Sequence, residues 1–192
     1  MTTDSAASDN PAPGGPDHGS SAPDARAPDS RAPDTPAIRA IAETGIDHHV
    51  TAHGPVRSLE EAAEARGLDP RQILKTLVVR RAEGDYLFVL VPGDRQISWP
   101  KLREHLGVSR LSMPDKDVAK DVTGYERGTI TPFGSLPGPS GKPWPVIADR
   151  LIVSREGPVS IGGGAHGVAV TVDTAQLVEA LDAAVADVTE AL

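Results

Sequence analysis

No cysteine occurs among the 192 residues, which removes disulfides, thiolate metal ligands and a cysteine nucleophile together. Nor is there a run of the roughly 18 to 20 apolar residues that a membrane-spanning helix needs. The N-terminus lacks the basic-then-apolar layout of a secretory signal, and its acidity sets it apart from transit peptides, so a cytoplasmic location without a membrane partner is expected. A basic surplus is missing too: 19 Lys and Arg stand against 27 Asp and Glu, a formal net charge of −8. Broad, sequence-independent binding to nucleic acid, DNA included, is thereby disfavoured, because phosphate neutralisation shows as an excess of positive charge. There is no G-x-S-x-G, and neither Ser135 nor Ser140 sits in the strand-turn-helix context that raises a serine nucleophile. His48, His49 and His53 come without an H-E-x-x-H helix or an evident third ligand, so no metal is expected, and no cofactor.

What is present falls into two parts. Residues 1–36 are Pro, Ala, Asp, Ser and Gly with almost no large apolar side chain, and APDAR-APDSR-APDTP repeats with a period of five. Such a segment cannot bury enough surface to offset its chain entropy and reads as a disordered tail. Six Asp against two Arg give it a charge of −4, half of the total. The remainder, 37–192, is only mildly acidic and is expected to form one domain.

Within that domain, IRAIAETG predicts a short helix closed by Gly45, followed by the extended piece IDHHVTAH. Ser58 and Glu61 have the spacing of a capping box, with Gly67 at the helix end. QILKTLVVRR and DYLFVLVP, joined by AEG, predict a β-hairpin. SWPKLREHLG is a helix with a serine cap and an early proline. SRLSM reads as a strand, and Asp115 caps a helix ending at Gly124. Extended segments are expected at 128–133, 145–153, 157–161 and 167–172. A final helix runs from about Thr174 with the stripe Leu177, Val178, Leu181, Ala184, Val185, Val188 and Leu192. About six strands and four or five helices without strict alternation indicate an α+β domain with a mixed sheet.

Three stretches carry candidate chemistry. Lys75 interrupts an apolar run on the same side of the pleat as Ile73, Leu77 and Val79. On an edge strand it would snorkel or guard against pairing; under a covered face it would need an anion or a polarised carbonyl. GYERGTITPFG, 124–134, spreads three glycines and a proline through a β-branched segment, so that free amides could face an oxyanion or phosphate. SIGGGAHG contains G-x-G-x-x-G at Gly162, Gly164 and Gly167, but a strand, GVAVTV, follows where a dinucleotide site needs a helix. A glycine-rich connection that lets a ligand approach the backbone is the better reading.

Taken in order, ILKTLVVR, GYERGTITPFG, PVIADR and SIGGGAHGVAVTV before a final helix resemble the YbaK/prolyl-tRNA-synthetase-associated domain family, over about residues 40 to 190. The resemblance implies a mixed α/β domain with a central, partly closed β-sheet flanked by helices. It also implies an aminoacyl-tRNA deacylase that edits mischarged tRNA in trans, with cysteinyl- or alanyl-tRNA(Pro) as candidate substrates, the 3' acceptor end as binding partner and an aminoacyl-tRNA synthetase as a further one. The family's functional lysine matches Lys75 and its G-x-x-x-P loop matches Gly128, Thr129, Ile130, Thr131 and Pro132. Its strand aspartate matches Asp149, and its glycine-rich turn matches Gly162, Gly163, Gly164, His166 and Gly167. Some members carry a tyrosine before the first helix where Thr51 stands here, two residues before His53.

An aminoacyl ester is already activated, so an enzyme has chiefly to position it and stabilise an oxyanion, one donor being worth about 3 to 4 kcal/mol. Water or a substrate group can then be the nucleophile, with Lys75 holding the terminal nucleotide or the developing charge and the amides of Gly128 to Thr131 as donors. Lys75, Arg80, Arg81, Lys101, Arg103, Arg127 and Lys142 are candidates for a small basic footprint on a single-stranded acceptor end. The rival expectation is a non-catalytic module of the same fold that binds an aminoacylated end, a nucleotide or a protein. Lys75 is expected beside 128–132, facing one cavity.

Overall fold

A computed structural model describes residues 33–192. Most of the proline-rich segment, up to residue 32, therefore lies outside the described residues. The folded domain begins earlier than composition implied, within the last repeat. Thr35 is buried and caps helix α1 (Pro36–Thr44) by accepting from the Ile38 N–H, while its own hydroxyl donates to the Gly163 carbonyl at 2.6 Å. Pro36 takes the first helical position, where a missing N–H costs nothing.

Strand β1 (His48–Ala52) and helix α2 (Leu59–Arg66) follow, and a 3-10 turn leads into the hairpin of β2 (Leu74–Ala82) and β3 (Asp85–Pro92). Next come β4 (Arg95–Ile97), α3 (Trp99–Leu106), α4 (Lys116–Thr123), β5 (Val146–Asp149), α5 (Arg150–Ser154), β6 (Val159–Gly162), β7 (Val168–Val172), α6 (Thr174–Ala180), β8 (Ala184–Ala186) and β9 (Thr189–Ala191). Helices α2, α3 and α4 end on left-handed glycines 67, 107 and 124, and Ser58 and Asp115 cap α2 and α4, as their sequences require.

Two sheets, ordered β1-β7-β6 and β2-β3-β5-β8, are joined by a parallel bridge between Ile73 and Ser160, and β4 pairs separately with β9. The β3-β5 and β5-β8 pairings are parallel and the others antiparallel, so the sheet is mixed. Its inner face holds Leu74, Val78, Phe88, Leu90, Ile161 and Val170 against Ile41 of α1 and Leu177 of α6. The outer face of the hairpin, Val79, Leu87, Val89 and Val91, is covered by Leu102 of α3. Leu102 is fully buried, and truncating such a leucine to alanine costs about 2 to 5 kcal/mol.

The chain departs from expectation at its C-terminal end. The helix beginning at Thr174 stops at Ala180, Asp182 takes a left-handed φ of 46°, and the remainder becomes β8 and β9. The helical stripe is broken accordingly, with Val188 buried but Val185 and Leu192 exposed. β-Branched Val185, Val188 and Thr189 suit strands, and pairing with β5 and β4 satisfies backbone groups that would otherwise form open edges. The extended segment expected at 145–153 ends at Asp149, which caps α5. Residues 128–133 form turns and irregular backbone, and SRLSM keeps a single antiparallel bridge, Arg80 to Ser112.

Candidate functional site

Alternation along β2 decides what faces what. Lys75 pairs with Val91 and Leu77 with Val89, on the face covered by α3, whereas Thr76 pairs with Leu90 on the inner side. Thr76 lines a cavity of about 460 Å³ whose walls include Val78, Met113, Pro114, Ala119, Arg127, Gly128 and Ile130. The Thr76 hydroxyl is buried and has no hydrogen-bond partner among the described residues. The expectation that Lys75 faces the 128–132 loop is therefore corrected. Its ammonium donates to the carbonyls of Gly93, at 2.9 Å, and Arg95. Burial pushes the Lys75 pKa below its ordinary value, while the Asp94 carboxylate opposes that shift. Asp94 is itself fixed by a two-pronged ion pair with Arg155, at 2.7 and 2.8 Å, and the Arg155 hydrogen bonds hold its carboxyl below the usual range.

The loop after α4 is clamped at both ends. The buried Tyr125 hydroxyl donates to the Phe133 carbonyl at 2.7 Å, closing a span that contains Gly128 to Pro132. Burial raises the Tyr125 pKa to about 12. The Thr129 N–H and hydroxyl both donate to the Glu126 carbonyl at 2.9 Å, so this amide is not free. The N–H groups of Gly128, Ile130 and Thr131 have no partner among the described residues. Thr131 is fully buried with an unpartnered hydroxyl. Pro132 lies against a different groove, with Phe133 and Trp144, rather than in the cavity.

The glycine-rich turn abuts this loop. A side chain on Gly162 would come within 3.3 Å of the Ile130 carbonyl, and one on Gly128, at φ 92°, within 3.6 Å of the His166 ring. His166 is exposed and stands 3.8 Å from Glu126. On the other side, the His53 N–H donates to the Gly167 carbonyl at 2.7 Å, and Thr51 pairs with Ala169. His53 Nδ1–H donates to the Gly54 carbonyl, leaving Nε2 buried and without a partner among the described residues. His48 and His49 alternate across β1 and point to opposite faces, which prevents them from sharing an ion.

The fold thus brings together Gly128, Thr129, Ile130, Gly162 and His166, with Gly167 next along the turn, and Thr51 of β1 and His53 just after it paired against its far side. It leaves Lys75 and Asp149 elsewhere. Asp149 is fully buried at the end of β5, where it accepts from Leu151 N–H at 2.9 Å, capping α5, and from Val188 N–H at 3.1 Å. All of its visible partners are backbone amides, a structural role. Thr76 is a site residue that carries no signal of its own in the sequence. Its one mark is its place next to Lys75, one step across the pleat.

An α+β domain with an apolar cavity, a loop of free backbone amides on its wall and no cysteine has the equipment for binding a small acyl group at an RNA end. The chain belongs to the aminoacyl-tRNA editing domain family, whose model matches residues 53–180. A proline–tRNA ligase of Citrifermentans bemidjiense is 36% identical over 97 residues, covering 47% of this chain and 17% of the ligase. Another, of Fervidobacterium nodosum, is 36% identical over 124 residues, covering 62% of this chain and 20% of the ligase. The chain therefore spans a fifth or less of these ligases. A crystal structure of a hypothetical protein matches with a TM-score of 0.70 and 28% identity, covering 81% of this chain and 100% of that one. The crystal structure of a candidate trans-editing enzyme for prolyl tRNA synthetase shares the fold, with a TM-score of 0.68 at 23% identity over 82% of this chain and 99% of that one. Among the described residues no helix is long and apolar enough to cross a membrane.

Proposed function

We propose that this domain hydrolyses the aminoacyl ester of mischarged tRNA, acting in trans, with alanyl- or cysteinyl-tRNA(Pro) as substrate, in the cytoplasm where charged tRNA is used. The observation that carries the reading is the 460 Å³ cavity in which a buried, unpartnered Thr76 hydroxyl and the Gly128–Ile130 loop share a wall. A small acyl side chain would fill the apolar part. The free N–H groups of Gly128 and Ile130 are suited to an oxyanion that develops on the ester carbonyl, in a loop whose ends are held by the Tyr125 to Phe133 hydrogen bond. With no cysteine in the chain, the nucleophile in this reading is water, since attack by a ribose hydroxyl would only move the acyl group between the 2' and 3' oxygens. Hydroxide from water adds to the carbonyl, the tetrahedral intermediate collapses, and the ribose oxygen leaves with a proton. Lys75 contributes here by holding the turn at Gly93 to Arg95; touching substrate would require its ammonium to leave both carbonyls.

That engagement of Lys75 favours a second reading, a domain that binds an aminoacylated end without cleaving it. Deacylation of alanyl-, cysteinyl- and prolyl-tRNA(Pro) separates the two. The hydrolytic reading expects faster loss of alanine or cysteine than of proline. Tight binding with no turnover of any of the three would establish the second reading instead.

A further inference from the structure

Beside the cavity, further along β2, lies a second and wider cleft of about 680 Å³ lined by Arg80, Arg81, Arg103 and Arg110 with one acidic residue, Glu83. The two clefts are built from the same pair of segments. Thr76 to Val78 and Met113 to Lys116 wall the first; Arg80 to Glu83 and Ser109 to Ser112 wall the second. The bridge in which Arg80 N–H donates to Ser112 O at 2.8 Å and Ser112 N–H returns to Arg80 O at 3.2 Å is the sill between them.

We propose that this arginine cleft grips the phosphates of the RNA strand whose 3' end enters the cavity, an inference that rests on the editing reading above. Four arginines lining one cleft of a chain with a net charge of −8 are a local concentration of positive charge. Guanidinium forks match phosphate oxygens with paired hydrogen bonds, which a lysine cannot do. Arg81 is paired with Asp85 at 2.7 Å, and Arg80 is held by the Ser112 hydroxyl at 3.2 Å without a charged partner among the described residues. Arg103 and Arg110 form no ion pair among the described residues, leaving their forks for a ligand. By contrast Lys101, another basic candidate from the sequence, is tied to Asp187 and the Thr189 carbonyl. Spacing fits as well. From Thr76 to Arg80 the strand rises roughly 13 Å, about four stacked nucleotides at ~3.4 Å each. An aminoacylated terminal nucleotide in the cavity would thus set the phosphates leading back toward a duplex over the arginines.

The test uses the full chain with Arg103→Ala/Arg110→Ala and, because Arg110 is exposed on a loop, Arg110→Ala alone as a variant whose folding is not at stake. Uncharged tRNA is titrated at several salt concentrations, inorganic phosphate serves as competitor, and deacylation is followed on aminoacyl-tRNA and on an aminoacyl ester of adenosine. The double variant should bind uncharged tRNA about tenfold or more weakly, with a salt slope smaller by about 1 to 2. Its KM should rise for aminoacyl-tRNA while kcat holds, and its rate on the adenosine ester, which lacks upstream phosphates, should match that of the parent. An unchanged affinity and salt slope for uncharged tRNA would overturn the proposal, as would displacement of phosphate from the cleft by mononucleotides but not by tRNA. If the parent deacylates nothing, the editing reading fails on that arm, while binding of uncharged tRNA still decides this one.

Discussion

Thr76→Val replaces a buried hydroxyl with a methyl of nearly the same shape and keeps the β-branch that suits a strand. In the free protein the Thr76 oxygen is buried with no partner among the described residues. A buried polar group left unpaired costs about 1 to 3 kcal/mol. The substitution removes that cost and adds a little apolar burial, so the free protein should gain roughly 1 kcal/mol, read as a higher urea midpoint at unchanged m-value. Activity should move the other way. If the hydroxyl bonds the bound substrate in ground and transition states alike, its loss is worth about 0.5 to 1.5 kcal/mol, a two- to tenfold rise in KM. If it meets the oxyanion alone, the loss is about 3 to 4 kcal/mol and falls on kcat. Single-turnover deacylation alongside urea unfolding gives both numbers from one preparation. A variant that is less stable and equally active would refute the assignment, since that is how a threonine with only a packing role behaves.

Asp149→Ala should cost about 2 to 4 kcal/mol, because the N–H groups of Leu151 and Val188 lose their shared acceptor; urea unfolding measures it, and a substrate-binding role would instead show as a KM change at full stability. Lys75→Met should destabilise by about 1.5 to 3 kcal/mol through loss of two charge-assisted bonds to Gly93 and Arg95, and an unaltered urea midpoint would show those bonds to be idle. Tyr125→Phe leaves the buried Phe133 carbonyl without its donor, costing about 1 kcal/mol and slowing deacylation more than that loss of stability explains; equal activity would dissociate the loop clamp from the reaction. Tyr125 also sets a pH window: its folded pKa of about 12 lies above the ordinary 10, so its contribution is fully present below pH 10 and is lost as pH rises toward 12. Ultraviolet titration of phenolate in the parent should resolve one tyrosine at that upper end, and the variant should lack it.

Local signals carried the fold far. Capping residues Ser58 and Asp115, the terminal glycines 67, 107 and 124, and the hairpin runs around Ala82 to Gly84 each act within a few residues, so they could be read without coordinates. The last twelve residues could not. A stripe from Leu177 to Leu192 satisfies helical periodicity, and only the vacancy beside β5 and β4, a property of distant segments, makes strands the better solution for Val185 and Thr189, with Val188 buried between them. Thr35 escapes a local reading for the same reason. Its repeat looks like tail, but a hydroxyl on Gly163, 128 positions away, draws it into the domain.

The site shows the same division. The glycine loop and the glycine-rich turn were visible as backbone exceptions, and the fold places them in contact, Gly162 on the Ile130 carbonyl and Gly128 under His166. Aspartate at the end of a strand is harder to read, because a carboxylate serves equally well as ligand and as cap; only the two amides that occupy both Asp149 oxygens separate those uses. On β2 the question was binary, since a period of two assigns each residue to one face. An apolar run that is buried on both faces gives no clue as to which of them meets a ligand. Lys75 drew attention because a charge is conspicuous among Leu74, Leu77 and Val78, yet its length lets it reach the Gly93 and Arg95 carbonyls at the strand's end. Thr76, inconspicuous and short, cannot reach past the face it is on, so its unpartnered hydroxyl identifies the cavity side of β2 more firmly than the lysine's charge does.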